Sequence, residues 1–92
     1  MIRRRLVITG KVQNVFYRNW FVGEARALGL DGWVRNRADG SVEAVVQGPA
    51  DSIDAMVARA RRGSPASRVA DVVVHDDAPH AVPTGFVKQP TA

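Results

Sequence analysis

The 92-residue chain contains no cysteine. Without cysteine it has neither a disulfide framework nor any thiolate zinc or iron–sulfur site. Long apolar runs are also missing: no segment approaches the roughly 20 residues that span a bilayer. The N-terminal "MIRRRLVITG" has a basic start, but its apolar stretch, Leu6 to Ile8, is far shorter than the ~7–15 residues of a signal-peptide core. A soluble, cytoplasmic chain without a membrane partner is the expectation. No repeat, linker or low-complexity segment divides the sequence. One domain over residues 1–92 is therefore expected, with a core at about 4–88 and a frayed tail at 89–92. The common phosphate-binding signatures G-x-x-x-x-G-K-S/T and G-x-G-x-x-G do not occur either.

With 46% hydrophobic and 24% charged residues, the chain can bury one modest core and does not read as disordered. Its net charge of +4 favours anionic partners, which leaves nucleic acid, an acidic membrane surface, or a phosphorylated or carboxylated small molecule. Eleven arginines stand against two lysines. Arginine's planar fork suits phosphate and carboxylate, although a compositional bias of the genome would produce the same count.

Local patterning gives the order of elements. Arg4 to Gly10 is rich in β-branched residues and reads as a strand. Phe21, Ala25 and Leu28 then recur at i, i+4 and i+7 on one helix face, with Asn19 as N-cap and Gly29-Leu30 as the C′–C″ stop. Gly32 to Arg37 and Ser41 to Gly48 read as two strands of a hairpin, with Asp39-Gly40 supplying positive φ. Val42, Ala44 and Val46 face inward; Glu43, Val45 and Gln47 face outward. A second helix opens at Asp51 as N-cap and carries the stripe Ile53, Met56, Val57, Ala60. Arg59, Arg61 and Arg62 sit at its end, where the helix dipole favours cations, and Gly63 and Pro65 stop it. Arg68 to His75 is a fourth strand with Ala70, Val72 and Val74 inward, and Thr84 to Lys88 a short edge strand. The order β-α-β-β-α-β specifies an α+β, ferredoxin-like sandwich, an antiparallel sheet with both helices on one face and a short fifth edge strand. That fold hosts many functions, so function must be sought in the site.

The segment "GKVQNVFYRN", Gly10 to Asn19, joins the first strand to the first helix. Its backbone N–H groups can curl into a nest for an anion, reinforced by the helix dipole. Arg18 at the helix entrance can clamp phosphate with two parallel bonds; equally, it reads as a solvated first-turn arginine. Asn36 shares the inward side of its strand with Val34 and lies at the end of that row, next to the loop. A carboxamide there can orient a water without changing protonation, or else caps the hairpin turn. Together these parts suggest hydrolysis of a phosphate derivative by positioning and charge stabilisation.

"GKVQNVFYR" (Gly10 to Arg18) resembles the signature loop of the acylphosphatases, usually written G-x-V-Q-G-V-x-F/Y-R, and "GWVRNRADGSVE" (Gly32 to Glu43) is similar to their second signature, G-F/Y/W-V-x-N-x-x-D-G-x-V-E. Gly48-Pro49 and the closing "TGF" of Thr84 to Phe86 also fit, so the resemblance runs from about Arg4 to Lys88 in the family's order. It implies hydrolysis of acyl phosphates to a carboxylate and inorganic phosphate, with no metal and no cofactor. It further implies that Arg18 binds the phosphoryl group and Asn36 positions the attacking water. The cradle is then formed by the amides of Gln13, Asn14, Val15, Phe16 and Tyr17 together with Arg18. Inorganic phosphate or sulfate would compete with substrate, and the enzyme would act as a monomer. One position departs from the pattern: Asn14 stands where the family usually has glycine. Asparagine tolerates positive φ, and its side chain would either crowd the anion or donate one more hydrogen bond.

Two other readings remain. The same element order builds the RNA-binding RRM, which needs aromatics on the open face of its first and third strands. "LVITG" and "SVEAVVQ" have none, so no nucleic-acid partner is expected. A regulatory domain that keeps the anion cradle without turnover is the other. His75 and His80 lack further ligands nearby and read as solvated, as do Asp71, Asp76 and Asp77. The Arg3 to Arg5 run reads as a charged strand start that discourages edge pairing.

Overall fold

A computed structural model describes residues 1–76 and 82–92. Asp77 and His80, and the middle of the loop containing them, lie outside the described residues. Among the described residues, five strands and two helices occur in the order β1 (Ile2–Lys11), α1 (Tyr17–Ala27), β2 (Asp31–Asn36), β3 (Val42–Gly48), α2 (Ala50–Arg62), β4 (Arg68–His75) and β5 (Phe86–Lys88). The sheet order is β4-β1-β3-β2-β5. The first four strands pair antiparallel, whereas β5 pairs parallel with β2, so the sheet is mixed and not wholly antiparallel. The architecture is the α+β, ferredoxin-like one.

The core lies between the sheet and the two helices. Leu6 and Ile8 of β1, Val34 of β2, and Val42, Ala44 and Val46 of β3 meet Phe21 and Ala25 of α1 and Ile53, Met56 and Ala60 of α2, all buried. The apolar stripes of both helices supply these contacts, with Leu28 and Val57 half-buried at the margins. At the end of α1, Gly29 with φ 70° donates to the Arg26 carbonyl and Leu30 to that of Ala25, at 3.0 Å each. This is the paired closure expected of a C′ glycine with an apolar C″ residue.

Several local expectations are corrected by the structure. Helix α1 starts at Tyr17, two residues before Asn19, because Phe16 adopts a left-handed conformation (φ 59°, ψ 22°) that turns the chain straight into the helix. Helix α2 is capped by Pro49 in extended conformation, and Asp51 lies inside its first turn, acting on the helix dipole and not as N-cap. In the turn of the hairpin Gly40 (φ 94°) takes positive φ and Asp39 does not. The Gly40 amide donates to the Arg37 carbonyl, while the Asp39 carboxylate accepts from the Ser41 hydroxyl (2.6 Å) and amide (2.9 Å). Those two bonds, the hydroxyl's first, hold the Asp39 carboxyl below the usual carboxylate range.

On β4, the register shifts opposite Thr9 and Gly10. A β-bulge of this kind leaves one residue out of the alternation. Val69 consequently turns toward the core in place of Ala70, which is exposed, while Val72 is inward as expected; Val74 pairs with inward Leu6, yet on this edge strand it remains 39% exposed. Gly10 makes the close approach possible. At φ 116° it has no side chain to meet the Arg68 carbonyl and the Ala70 nitrogen, both of which a Cβ would strike.

The outer face of the sheet is better covered than strand alternation implies. Val45 is fully buried and Glu43 nearly so. Trp33 stands opposite Val45 across the β2–β3 ladder, with the Arg35 guanidinium 4.7 Å from its ring centre. Glu43 receives Arg35 at 2.7 Å and Arg5 at 3.4 Å. In the Arg3–Arg5 run, Arg5 pairs with both β3 and β4, while Arg3 and Arg4 pair with β3 alone among the described residues. Arg3 braces this outer face through Gln47 (2.9 Å), whereas Arg4, on the same side of β1 as Leu6, meets Asp76 (3.1 Å).

Tyr17 ties the two helices together. Its ring packs 5.2 Å from Trp20 and 6.1 Å from Phe21, and its hydroxyl donates 3.0 Å to the Ala60 carbonyl in the last turn of α2. A terminal helix carbonyl is thereby satisfied by a side chain from the other helix. Tyr17→Phe is expected to cost about 1 kcal/mol and to lower Tm by about 4–8 °C for a domain of this size. An unchanged thermal unfolding midpoint would show that the hydroxyl contributes nothing.

Candidate active site

The loop from Val12 to Phe16 alternates between anchored and exposed residues. Val12 is buried and Val15 packs half-buried against the core, while Asn14 and Phe16 point outward. Both outward residues are left-handed, with φ 60° at Asn14 and 59° at Phe16. Positive φ was anticipated at Asn14, whose side chain tolerates it; at Phe16 it was not, since a bulky residue there is strained.

Gln13 fixes this loop to the rest of the fold. Its side-chain nitrogen donates 2.8 Å to the Arg37 carbonyl and 2.8 Å to the Ser41 carbonyl. Both hydrogens of one carboxamide nitrogen thus hold the loop against the hairpin. Asn36, one residue before Arg37, ends β2 on the same side as Val34 and is 9% exposed. Its Oδ1 is buried with no hydrogen-bond partner among the described residues. A buried acceptor without a partner costs about 1–3 kcal/mol, and such costs concentrate at functional positions.

A cavity of about 360 Å³ opens between these parts. Asn14, Phe16, Tyr17 and Arg18 line it from the loop and first helix turn, Asn36 from β2, and Val12, Asn19 and Lys88 complete the wall. Five of the seven site residues anticipated from sequence border the cavity: Asn14, Phe16, Tyr17, Arg18 and Asn36. The side chain of Gln13 is turned to the hairpin carbonyls and that of Val15 to the core. The burial that secures the Tyr17 ring also pushes its phenol pKa up, so the hydroxyl stays protonated and serves as a structural donor.

Three contributions had no local signal in the sequence. The Arg18 guanidinium donates 3.1 Å to the Gln89 carbonyl, which orients it at the cavity. Lys88 brings a second cation to the wall and donates 2.9 Å to Asn19 Oδ1. The segment carrying these groups was expected to fray from Gln89 onward, yet Gln89 donates to the Val34 carbonyl and Ala92 to the Asn36 carbonyl, at 2.9 and 3.0 Å. Among the described residues no group of three His, Asp or Glu side chains gathers where a metal could be held, and no helix is long and apolar enough to cross a membrane.

The family model described as acylphosphatase matches residues 4–88. The chain is 60% identical to an acylphosphatase of Rhizorhabdus wittichii over 90 residues, covering 98% of this chain and 90% of that one. It is 47% identical to one of Acidiphilium cryptum, with 99% of each chain covered. Among solved structures, the Bacillus subtilis acylphosphatase superposes with a TM-score of 0.90 at 34% identity, covering 97% of this chain and 99% of that one.

The geometry makes the Gln13 carboxamide the brace of the loop. In Gln13→Ala the Arg37 and Ser41 carbonyls each keep one backbone donor, but the loop loses both of its side-chain bonds to the hairpin. Titration calorimetry with inorganic phosphate is expected to show affinity weakened about tenfold, equivalent to roughly 1.4 kcal/mol. Equal affinity in both proteins would mean that the loop keeps its shape unaided.

Proposed function

The chain belongs to the acylphosphatase family and is an enzyme of acyl-phosphate hydrolysis, and we propose that it works through Arg18, Asn36 and the amides of residues 13–18 without metal or cofactor. The observation that carries this reading is the meeting, at one cavity, of the loop, the Arg18 guanidinium and the Asn36 carboxamide. In this reading the phosphoryl group sits in the curl of the loop, with its charge met by backbone N–H groups, by the start of α1 and by Arg18. Lys88 adds a second positive charge at the wall.

Asn36 holds a water in line with the bond between phosphorus and the carboxyl oxygen. The water oxygen bonds to phosphorus, the phosphorus–oxygen bond to the acyl group breaks, and its electron pair leaves with the carboxylate. The water's proton passes to a phosphoryl oxygen of the substrate. A carboxylate is a good leaving group and needs little general acid, so positioning and charge stabilisation supply most of the catalysis. Inorganic phosphate or sulfate, which resemble half of the substrate, would compete for the loop. We place the reaction in the cytoplasm, in keeping with a cysteine-free sequence, and assign it to the monomer.

Phosphate release from acetyl phosphate tests these roles. Excess chelator is expected to leave the rate unchanged, and phosphate monoesters to be poor substrates. Arg18→Ala should damage both KM and kcat, since the clamp acts in ground and transition states alike. Asn36→Ala should mainly lower kcat, by about 10²–10³, with the protein still folded. Restoration of a chelated enzyme by Mg²⁺, or a wild-type kcat in Asn36→Ala, would overturn the mechanism.

Asn14 supplies a separate check. Its φ of 60° is one that glycine adopts freely and asparagine at small cost. Asn14→Gly is expected to keep or modestly raise activity, while Asn14→Val should cripple both phosphate affinity and rate by forcing the amides out of line. A tenfold loss in Asn14→Gly, about 1.4 kcal/mol of transition-state stabilisation, would instead make the Asn14 side chain a donor to the phosphoryl group.

A further inference from the structure

Phe16 is 80% exposed, while the other aromatic side chains are drawn inward: Tyr17, Phe21 and Phe86 are almost fully buried, Trp33 is 7% exposed and Trp20 packs half-buried against the core. A single exposed apolar residue is ordinary on a protein surface. This one also sits in a left-handed backbone conformation, φ 59°, which glycine would adopt without strain. The position therefore carries two costs, steric strain and a ring held in water. Neither cost helps the core, because the loop is already anchored by Val12 and Val15 on either side of Asn14.

The ring stands where the substrate's other half must lie. Asn14, Arg18, Asn19, Asn36 and Lys88 supply the polar part of the cavity wall, in keeping with a bound phosphoryl group. The cavity, about 360 Å³, falls in the ~300–1,000 Å³ range of sites that take small organic ligands. Of the apolar side chains in its wall, Val12 and Tyr17 are each only 1% exposed and have little surface left to offer. The apolar contact available to a ligand comes from Phe16.

We propose that Phe16 is a specificity-determining residue whose ring packs on the acyl group of the substrate, so that the enzyme favours acyl phosphates with an aromatic or extended apolar acyl group over acetyl phosphate. This rests on the phosphoryl group occupying the loop as inferred above. The acyl group projects from the phosphoryl site toward the cavity mouth, and stacking against Phe16 removes apolar surface of both partners from water.

The test compares kcat/KM for benzoyl phosphate and acetyl phosphate in the native protein, Phe16→Leu and Phe16→Asn. Asparagine is chosen because it accepts the same backbone angles. The readout is the ratio of the two substrates, which cancels any effect of a substitution on the shared phosphoryl site. Phe16→Asn is expected to lower the benzoyl-to-acetyl ratio by about 3- to 10-fold, the scale of one aromatic contact, mostly through KM for benzoyl phosphate, with Phe16→Leu intermediate. If a variant turns over too slowly to measure, the ratio of inhibition constants for benzoylphosphonate and acetylphosphonate should shift in the same way. Ratios within twofold of the native value in both variants would overturn the assignment of Phe16 alone. Failure of the native protein to release phosphate from either substrate would overturn the reading of the site, and this inference with it.

Discussion

The cavity depends on two hydrogen bonds from a single nitrogen, those of Gln13 to the Arg37 and Ser41 carbonyls. They hold the loop after β1 against the base of the β2–β3 hairpin, and so place residues 14–18 beside Asn36. Without them the loop would be anchored only by the apolar contacts of Val12 and Val15 and by the start of α1. Tyr17 completes the arrangement from the other end, joining the first turn of α1 to the last turn of α2. Loop, hairpin and both helices are thus bound together by a few polar contacts over a continuous apolar core.

The same region concentrates the local costs of the fold. Two of its non-glycine residues, Asn14 and Phe16, lie in the left-handed region, and the buried Asn36 Oδ1 has no hydrogen-bond partner among the described residues. Strain of this kind persists where the surroundings over-determine it, at roughly 1–3 kcal/mol for each residue in a sparsely populated conformation. The surroundings here supply the means: buried Val12, the Gln13 brace and the buried Tyr17 ring flank the strained residues directly. A preorganised cradle needs no rearrangement when charge develops in it, which is the advantage such rigidity confers on a catalyst.

The basic charge of the chain is distributed unevenly. Arg5 and Arg35 converge on Glu43 across the outer sheet face, with Arg35 also stacked on Trp33, and Arg3 is held by Gln47. Arg59 and Arg62 lie 4.0 and 3.9 Å from Glu24, so part of the cationic end of α2 is turned toward α1. Arg18, by contrast, is oriented by a neutral backbone carbonyl, and among the described residues no carboxylate lines the cavity to cancel its positive charge. That difference suits an anionic substrate better than the net charge of the chain alone would suggest.

Much of the molecule was legible in the sequence because local rules govern it. The Phe21–Ala25 and Ile53–Met56–Ala60 stripes, the Gly29-Leu30 helix stop, the inward row Val42–Ala44–Val46 and the bounds of β4 follow from periodicity and from the steric freedom of glycine. The loop and Asn36 were legible through their two motifs. Other features were set by contacts between segments distant in sequence, which a local pattern does not register. The bulge opposite Gly10 exchanged Val69 for Ala70 in the inward set of β4, and burial of Val45 came from the neighbouring strand and its long side chains. The orientation of Arg18 by Gln89 and the arrival of Lys88 at Asn19 join residues 71 and 69 positions apart. Such pairings exist only once β5 has docked in parallel beside β2, because sheet pairing, and not sequence proximity, brings the last strand to the mouth of the first loop.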